Sequence, residues 1–188
     1  MGITGFTLPT IYRWVRSDRG RAMTLHPFGK GHFLGSGQAD KVLAEVSARK
    51  AELEADPKLI YPLVESAVLP HFDFRSMSQS AMGRFWRQAT EQQQADITLQ
   101  FRELLVRTYA TALLGYSGQQ IEYLPVNYRP GDDKVLIPTR IAADNAPPIP
   151  INYRMSLEGD RWLVYDVVID GVSLIANYRS QFAAAVRR

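Results

Sequence analysis

The hydrophobic pattern of this 188-residue chain changes period once, and that change constrains the fold more than any other feature. Up to about Gly118, apolar residues recur every three or four positions. Ile97, Phe101, Leu104, Leu105, Tyr109, Ala112 and Leu113 fall, with Thr108, along one stripe of a long helix. Beyond it the period is two. Ile149, Ile151, Tyr153, Met155 and Leu157 alternate with Pro150, Asn152, Arg154, Ser156 and Glu158. Alternation of this kind gives a sheet with one apolar and one polar face. Helices grouped first and strands grouped after them predict an α+β fold.

Local signals place the boundaries. A partly amphipathic helix from Gln38 carries Val42, Val46, Arg49 and Leu53. Asp56-Pro57 opens a second, because Asp bonds free N–H groups and Pro lacks one; it carries Leu59, Ile60, Leu63, Val64 and Val68 and stops near Pro70. Asp73 caps a third, running through Phe74, Met77, Met82, Phe85 and Trp86. Thr90 and Gln93 form a capping box for the longest helix, which ends at Gly115 or Gly118. Four strands are predicted near 120–129, 134–143, 149–158 and 161–171. Pro130-Gly131-Asp132 marks the first turn, and Gly159-Asp160 is a two-residue hairpin signal. Leu174, Ile175, Tyr178 and Phe182 then mark a closing helix.

Residues 1–37 read differently. They have no helical or strand period, and they hold Arg13, Arg16, Arg19, Arg21 and Lys30 against Asp18 alone, which is 5 − 1 = +4. The whole chain carries +3, so residues 38–188 carry 3 − 4 = −1. A nearly neutral domain does not have a nucleic-acid footprint. The reading is therefore a leader or extension over 1–37 and one domain over 38–188. The charges in the leader interrupt the apolar core that a secretory signal needs. No cysteine is present, which excludes disulfides and thiolate metal sites. No apolar run is long enough for a transmembrane helix. A chain of this size buries roughly 70% of its unfolded surface, enough for a core and an internal cavity.

Motifs of catalysis are sparse. There is no P-loop, dinucleotide fingerprint or nucleophile elbow. His71 stands alone, because His26 and His32 lie in the leader, so its reading is structural and no metal site is expected. Asp166 is a polar residue in an apolar strand. It fits a structural hydrogen-bonding role, or an acid in a small enzyme acting with a tyrosine on an apolar substrate in a cone-shaped α+β fold. A module with a filled core that binds other proteins is a further alternative. Trp86 and Trp162 read as core anchors.

Four blocks carry a family resemblance. They are Leu69-Pro70-His71-Phe72-Asp73-Phe74, Gly83-Arg84-Phe85-Trp86-Arg87-Gln88-Ala89, Phe101 to Leu113 with Leu105-Val106-Arg107-Thr108-Tyr109-Ala110, and Trp162 to Phe182. The last block includes Tyr165-Asp166-Val167, Gly171-Val172-Ser173 and Asn177-Tyr178-Arg179-Ser180-Gln181-Phe182. Together they resemble the MlaC family, periplasmic phospholipid-binding proteins also known as toluene-tolerance or ABC transporter auxiliary components. The resemblance spans about residues 38–186 and does not include the leader.

It implies N-terminal helices packed on a curved four-stranded antiparallel sheet with a C-terminal helix, enclosing an apolar lipid pocket. It implies a non-enzymatic carrier of phospholipid between outer and inner membranes, with no cofactor, that maintains outer-membrane asymmetry. The implied partners are an inner-membrane ABC transporter complex with its lipid-binding subunit and an outer-membrane lipoprotein–porin complex. Phe101, Leu105, Tyr109, Ile137, Ile151, Tyr153, Met155, Val167 and Ile169 are the residues that then line the pocket. Composition alone fits them equally to an ordinary core.

Overall fold

Capping side chains start several of the helical segments. The computed structural model describes residues 36–115, 121–129, 131–143 and 146–186. Helix α1 spans Ser36–Ala48 and α2 spans Lys50–Ala55. Asp56 accepts a bond from the Lys58 N–H at 3.1 Å and opens a 3₁₀ turn, Pro57–Leu59, that runs into α3, Ile60–Ala67. After a 3₁₀ turn at Leu69–His71, Asp73 accepts from the Ser76 N–H at 2.9 Å and starts α4, Phe74–Met82. The capping box is complete: Thr90 Oγ1 accepts from the Gln93 N–H at 3.3 Å, and Gln93 Oε1 accepts from the Thr90 N–H at 2.8 Å. It opens α5, Glu91–Tyr109, which continues as a 3₁₀ turn, Ala110–Gly115. Gly118 and Pro130 lie outside the described residues, as does the predicted leader up to residue 35.

Two helices are shorter than their hydrophobic patterns. The first is interrupted at Arg49, whose ψ of 14° is not helical; its guanidinium pairs with Glu52 at 2.8 Å. The third ends at Gly83, and Gly83–Gln88 is a 3₁₀ turn. Gly83 has φ +56°, a value that favours glycine. A Cβ at this position would also lie 3.0 Å from Arg179 Nε.

The sheet is antiparallel with order β1-β2-β3-β4-β5, where β1 is Ile121–Tyr123, β2 Lys134–Ala143, β3 Ala146–Glu158, β4 Arg161–Ile169 and β5 Val172–Ser173. Among the described residues it therefore has five strands, not the expected four. The predicted fourth strand reverses at Asp170-Gly171, both with positive φ (48° and 78°), so that Val172 pairs with Ile169 and Ser173 with Val168. Asp-Gly is a strong two-residue hairpin signal, masked in the sequence by apolar residues on both sides. The expected first strand shrinks to three residues, and β3 begins three residues earlier than predicted.

Pro138 in β2 and Pro150 in β3 are tolerated because each lies where a neighbouring strand has ended. Pro138 accepts at its carbonyl from Leu124, just past β1, and Pro150 from Asp170, just past β4. The N–H that proline lacks would have pointed the same way, toward no strand. Bulges between Ile141 and Ala143 and between Arg154 and Met155 bend the strands they interrupt.

The final helix, α6, spans Leu174–Val186 and packs closely on α4. The Asp73 N–H donates to Val164 O at 2.9 Å, tying the start of α4 to the edge of β4. The core divides into three clusters: one under α1–α3, one among α4, α5 and α6, and one on the sheet. Trp86 and Trp162 are both buried, as their reading as anchors required.

Candidate functional site

Cross-strand register defines a continuous apolar face, since directly paired residues share a side of an antiparallel sheet. Val135, Met155 and Val164 form one rank across β2, β3 and β4. Ile137, Tyr153 and Val167 form the next, then Thr139, Ile151 and Ile169, then Ile141 with Ile149. Burial is uneven along this series, and the half-buried members of the middle ranks lie on β3 and β4. The first rank is buried throughout, with Met155 at 2% exposure. In the second, Ile137 is buried while Tyr153 and Val167 are half-buried; in the third, Thr139 and Ile151 are buried and Ile169 is half-buried; in the last, both residues are half-buried. The face is closed at the Met155 end and retains accessible surface toward the Ile141–Ile149 end.

The fully buried hydroxyl on this face is satisfied. The buried Thr139 hydroxyl donates to Ile151 O. Sequence reading had no signal for Thr139, because a threonine in a strand is unremarkable until the register assigns its side. Tyr153 is crowded by protein atoms even though part of its surface stays accessible. That burial pushes its phenol up to about 12.

The helical candidates are elsewhere. Phe101 and Leu105 are buried among Met77, Ala81, Ile175 and Tyr178 in the α4–α5–α6 cluster. Phe101 meets Tyr178 and Phe182 edge to face, with centroids 5.1 and 5.5 Å apart. Tyr109 packs against the same cluster; burial and then the neighbouring Tyr178, to which it is hydrogen-bonded, raise its pKa.

Thus Ile137, Tyr153, Met155 and Val167 come together in the sheet cluster, and Ile151 and Ile169 continue their face. Phe101, Leu105 and Tyr109 belong to a separate helical cluster. Among the described residues, Phe72 alone packs against both. A sheet face and a helical layer in an ordinary α+β domain would merge into one core. Here they meet through one half-buried residue, whose backbone pairs with Val164 and whose ring centre lies 5.9 Å from that of Phe74. Phe72 was visible in the sequence only as part of a motif. Its bridging position depends on the pairing of Phe72 with β4, which no local pattern encodes.

Asp166 does not face this surface. It pairs with Arg154 across the strands, on the side opposite Tyr153 and Val167. Its Oδ2 accepts from Arg154 Nη1 at 2.8 Å and Ser173 Oγ at 2.7 Å, and its Oδ1 accepts from the Ile175 N–H at 3.1 Å. Ser173 Oγ in turn accepts from the Ala176 N–H at 3.0 Å. Asp166 and Ser173 therefore satisfy free donors at the start of α6, where a negative charge is also favoured. This chemistry supports the structural reading of Asp166.

His71 is half-buried; burial and, secondarily, Arg161 hold its pKa below the ordinary value. Among the described residues no three His, Cys, Asp or Glu side chains group as a metal site, and no helix is long and apolar enough to cross a membrane. A hollow of about 180 Å³ lined by Val46, Lys50, Leu53, Glu54, Pro57 and Leu114 sits among the N-terminal helices, away from the sheet.

Comparison with known proteins follows the same residues. The family model described as "MlaC protein" matches residues 37–188. The toluene tolerance protein ttg2D of Pseudomonas putida is 26% identical over 158 residues, 84% of this chain and 73% of that protein. The intermembrane phospholipid transport system binding protein MlaC of Haemophilus influenzae is 26% identical over 140 residues. That match covers 73% of this chain and 65% of the relative, just under two-thirds of its length. A solved structure, the phospholipid-binding protein from Ralstonia solanacearum in complex with a phospholipid, superposes with a TM-score of 0.73. It is 34% identical, and the match covers 80% of this chain and 84% of that one. From the match over residues 37–188, together with this shared fold, the chain belongs to the MlaC family.

Proposed function

We propose that this protein is a phospholipid carrier of the periplasm, not an enzyme, and that acyl chains lie against the half-buried ranks of the sheet. One observation carries the reading: a relative that shares the fold over 80% of this chain was solved with a phospholipid bound. The half-buried apolar surface of Tyr153, Val167, Ile169, Ile141 and Ile149 beside the buried Met155 supports it, as does the separation of the sheet and helical clusters. In this reading Tyr153, Val167 and Ile169 touch lipid, with Ile137, Ile151 and Met155 as the floor beneath them. Tyr109 closes the helical side, and Phe101 and Leu105 pack behind it.

The physics of the task fits an apolar wall without a charged anchor. Exposing about 30 methylenes of two acyl chains to water costs on the order of 25 kcal/mol. A dry apolar wall removes that barrier and leaves the transfer from bilayer to carrier nearly neutral. Direction then comes from docking or from ATP use elsewhere. The partners proposed on family grounds are an inner-membrane ABC transporter complex and an outer-membrane lipoprotein–porin complex, acting to keep the outer membrane asymmetric.

The test is organic extraction of the purified protein with mass spectrometry, beside uptake from labelled vesicles. Phospholipid at a fixed molar ratio is expected. Val167→Trp, which fills space beside Tyr153, should carry less lipid at unchanged stability. A wild-type protein with neither bound phospholipid nor uptake would overturn the proposal.

A further inference from the structure

One side of the molecule is basic without counter-charges. Helix α4, the turn that follows it and α6 pack together, and no Asp or Glu occurs between Phe74 and Thr90 or between Gly171 and Val186. The same segments carry Arg75, Arg84, Arg87 and Arg179, all exposed. Among the described residues none of these four has a carboxylate partner, whereas Arg49, Arg102, Arg107, Arg140 and Arg154 each have one.

The four are gathered by specific contacts. Arg179 lies against Gly83, its Nε 3.0 Å from where a Cβ would stand. Arg84 is stacked over the half-buried Phe85, its guanidinium carbon 4.9 Å from the ring centre. Arg75 lies 5.6 Å from the Trp86 ring centre and donates to Gln94 at 3.3 Å, which brings the start of α4 beside Arg87. The 3₁₀ turn holding three of these contacts is about 12 Å long, about one and a half Debye lengths at physiological salt, so neighbouring charges reinforce one another and do so most strongly at low salt. The nearest acids in sequence are Asp73, engaged as a helix cap, and Glu91 in the first turn of α5.

We infer that this arginine face docks the protein onto an anionic phospholipid bilayer. Guanidinium groups take phosphate oxygens in a bidentate way and lose little hydration in doing so. Four irregularly spaced charges suit a fluid array of phosphates, which rearranges to meet them. An acidic protein would need carboxylates fixed at the same spacing. Phe85, half-buried beneath Arg84, places an aromatic edge at headgroup level. The inference goes beyond lipid carriage and does not depend on it.

The test is flotation of the full chain with vesicles of phosphatidylcholine, with and without phosphatidylglycerol, at low and physiological salt. Binding should require phosphatidylglycerol and weaken with salt. Each surface arginine is worth about fivefold in partition, so Arg84→Glu with Arg87→Glu should weaken binding at least ~25-fold. Arg84→Lys with Arg87→Lys should retain most of it, and Arg129→Glu, outside the face, should leave it unchanged. Circular dichroism and bound-lipid content of each variant separate loss of docking from loss of fold or of carriage. No binding to phosphatidylglycerol vesicles by the wild type overturns the inference. Binding that survives Arg84→Glu with Arg87→Glu overturns it too, and assigns attraction to the basic residues before Gly37. So does capture by an acidic protein with no attachment to vesicles.

Discussion

Replacing Asp166 tests whether its role is to start the last helix or to serve a site. Asp166 is 3% exposed and accepts three hydrogen bonds. In Asp166→Ala the bond from the Ile175 N–H is lost, a helix-capping interaction worth about 1 kcal/mol. The bond from Ser173 is lost as well, worth about 1 kcal/mol more. The Arg154 side chain is 45% exposed, so this ion pair adds at most about 1 kcal/mol after screening. The total is about 2–3 kcal/mol, which for a domain of this size lowers Tm by about 5–10 °C. Urea denaturation measures the free energy directly, and Arg154→Ala should cost less than Asp166→Ala by at least about 1 kcal/mol. Asp166→Asn keeps the volume and one acceptor, so it should fall between the wild type and the alanine variant. Protein that folds should retain its phospholipid. A loss below about 1 kcal/mol in Asp166→Ala would refute the capping account. Unchanged stability with abolished lipid binding would refute it in favour of a site role.

Two further outcomes follow from single positions. Gly83→Ala must adopt φ +56° and press its Cβ against the Arg179 guanidinium, so a loss of about 1–3 kcal/mol is expected in urea titration, and Ser80→Ala on exposed helix surface serves as its control. Tyr153 should titrate near 12 instead of 10. Because its folded pKa is raised, its contribution to stability is complete below pH 10 and disappears as pH rises toward 12. Tyr153→Phe should flatten that alkaline decline, measured by denaturation at stepped pH, and an unaltered decline would show that other groups cause it.

The sequence by itself determined the class of fold and the starts of the elements. Period and capping act over three or four residues, so Asp56, Asp73 and the Thr90–Gln93 box are legible before any folding is known. Residue identity also named the family, through motifs that are mostly structural. Other features were decided only by tertiary structure. Asp170-Gly171 turns the chain because Val172 and Ser173 find Ile169 and Val168 to pair with. Helix α4 stops at Gly83, where Arg179, almost a hundred residues later, occupies the space of a side chain. The side on which Asp166 lies depends on the bulge in β3–β4, since a shift of one residue exchanges the faces of a strand. The separation of helical and sheet clusters, joined through Phe72, depends on contacts between segments far apart in sequence. An apolar residue that packs and one that lines a pocket have the same chemistry. Only the arrangement of their neighbours distinguishes them, and that arrangement is a property of the folded chain.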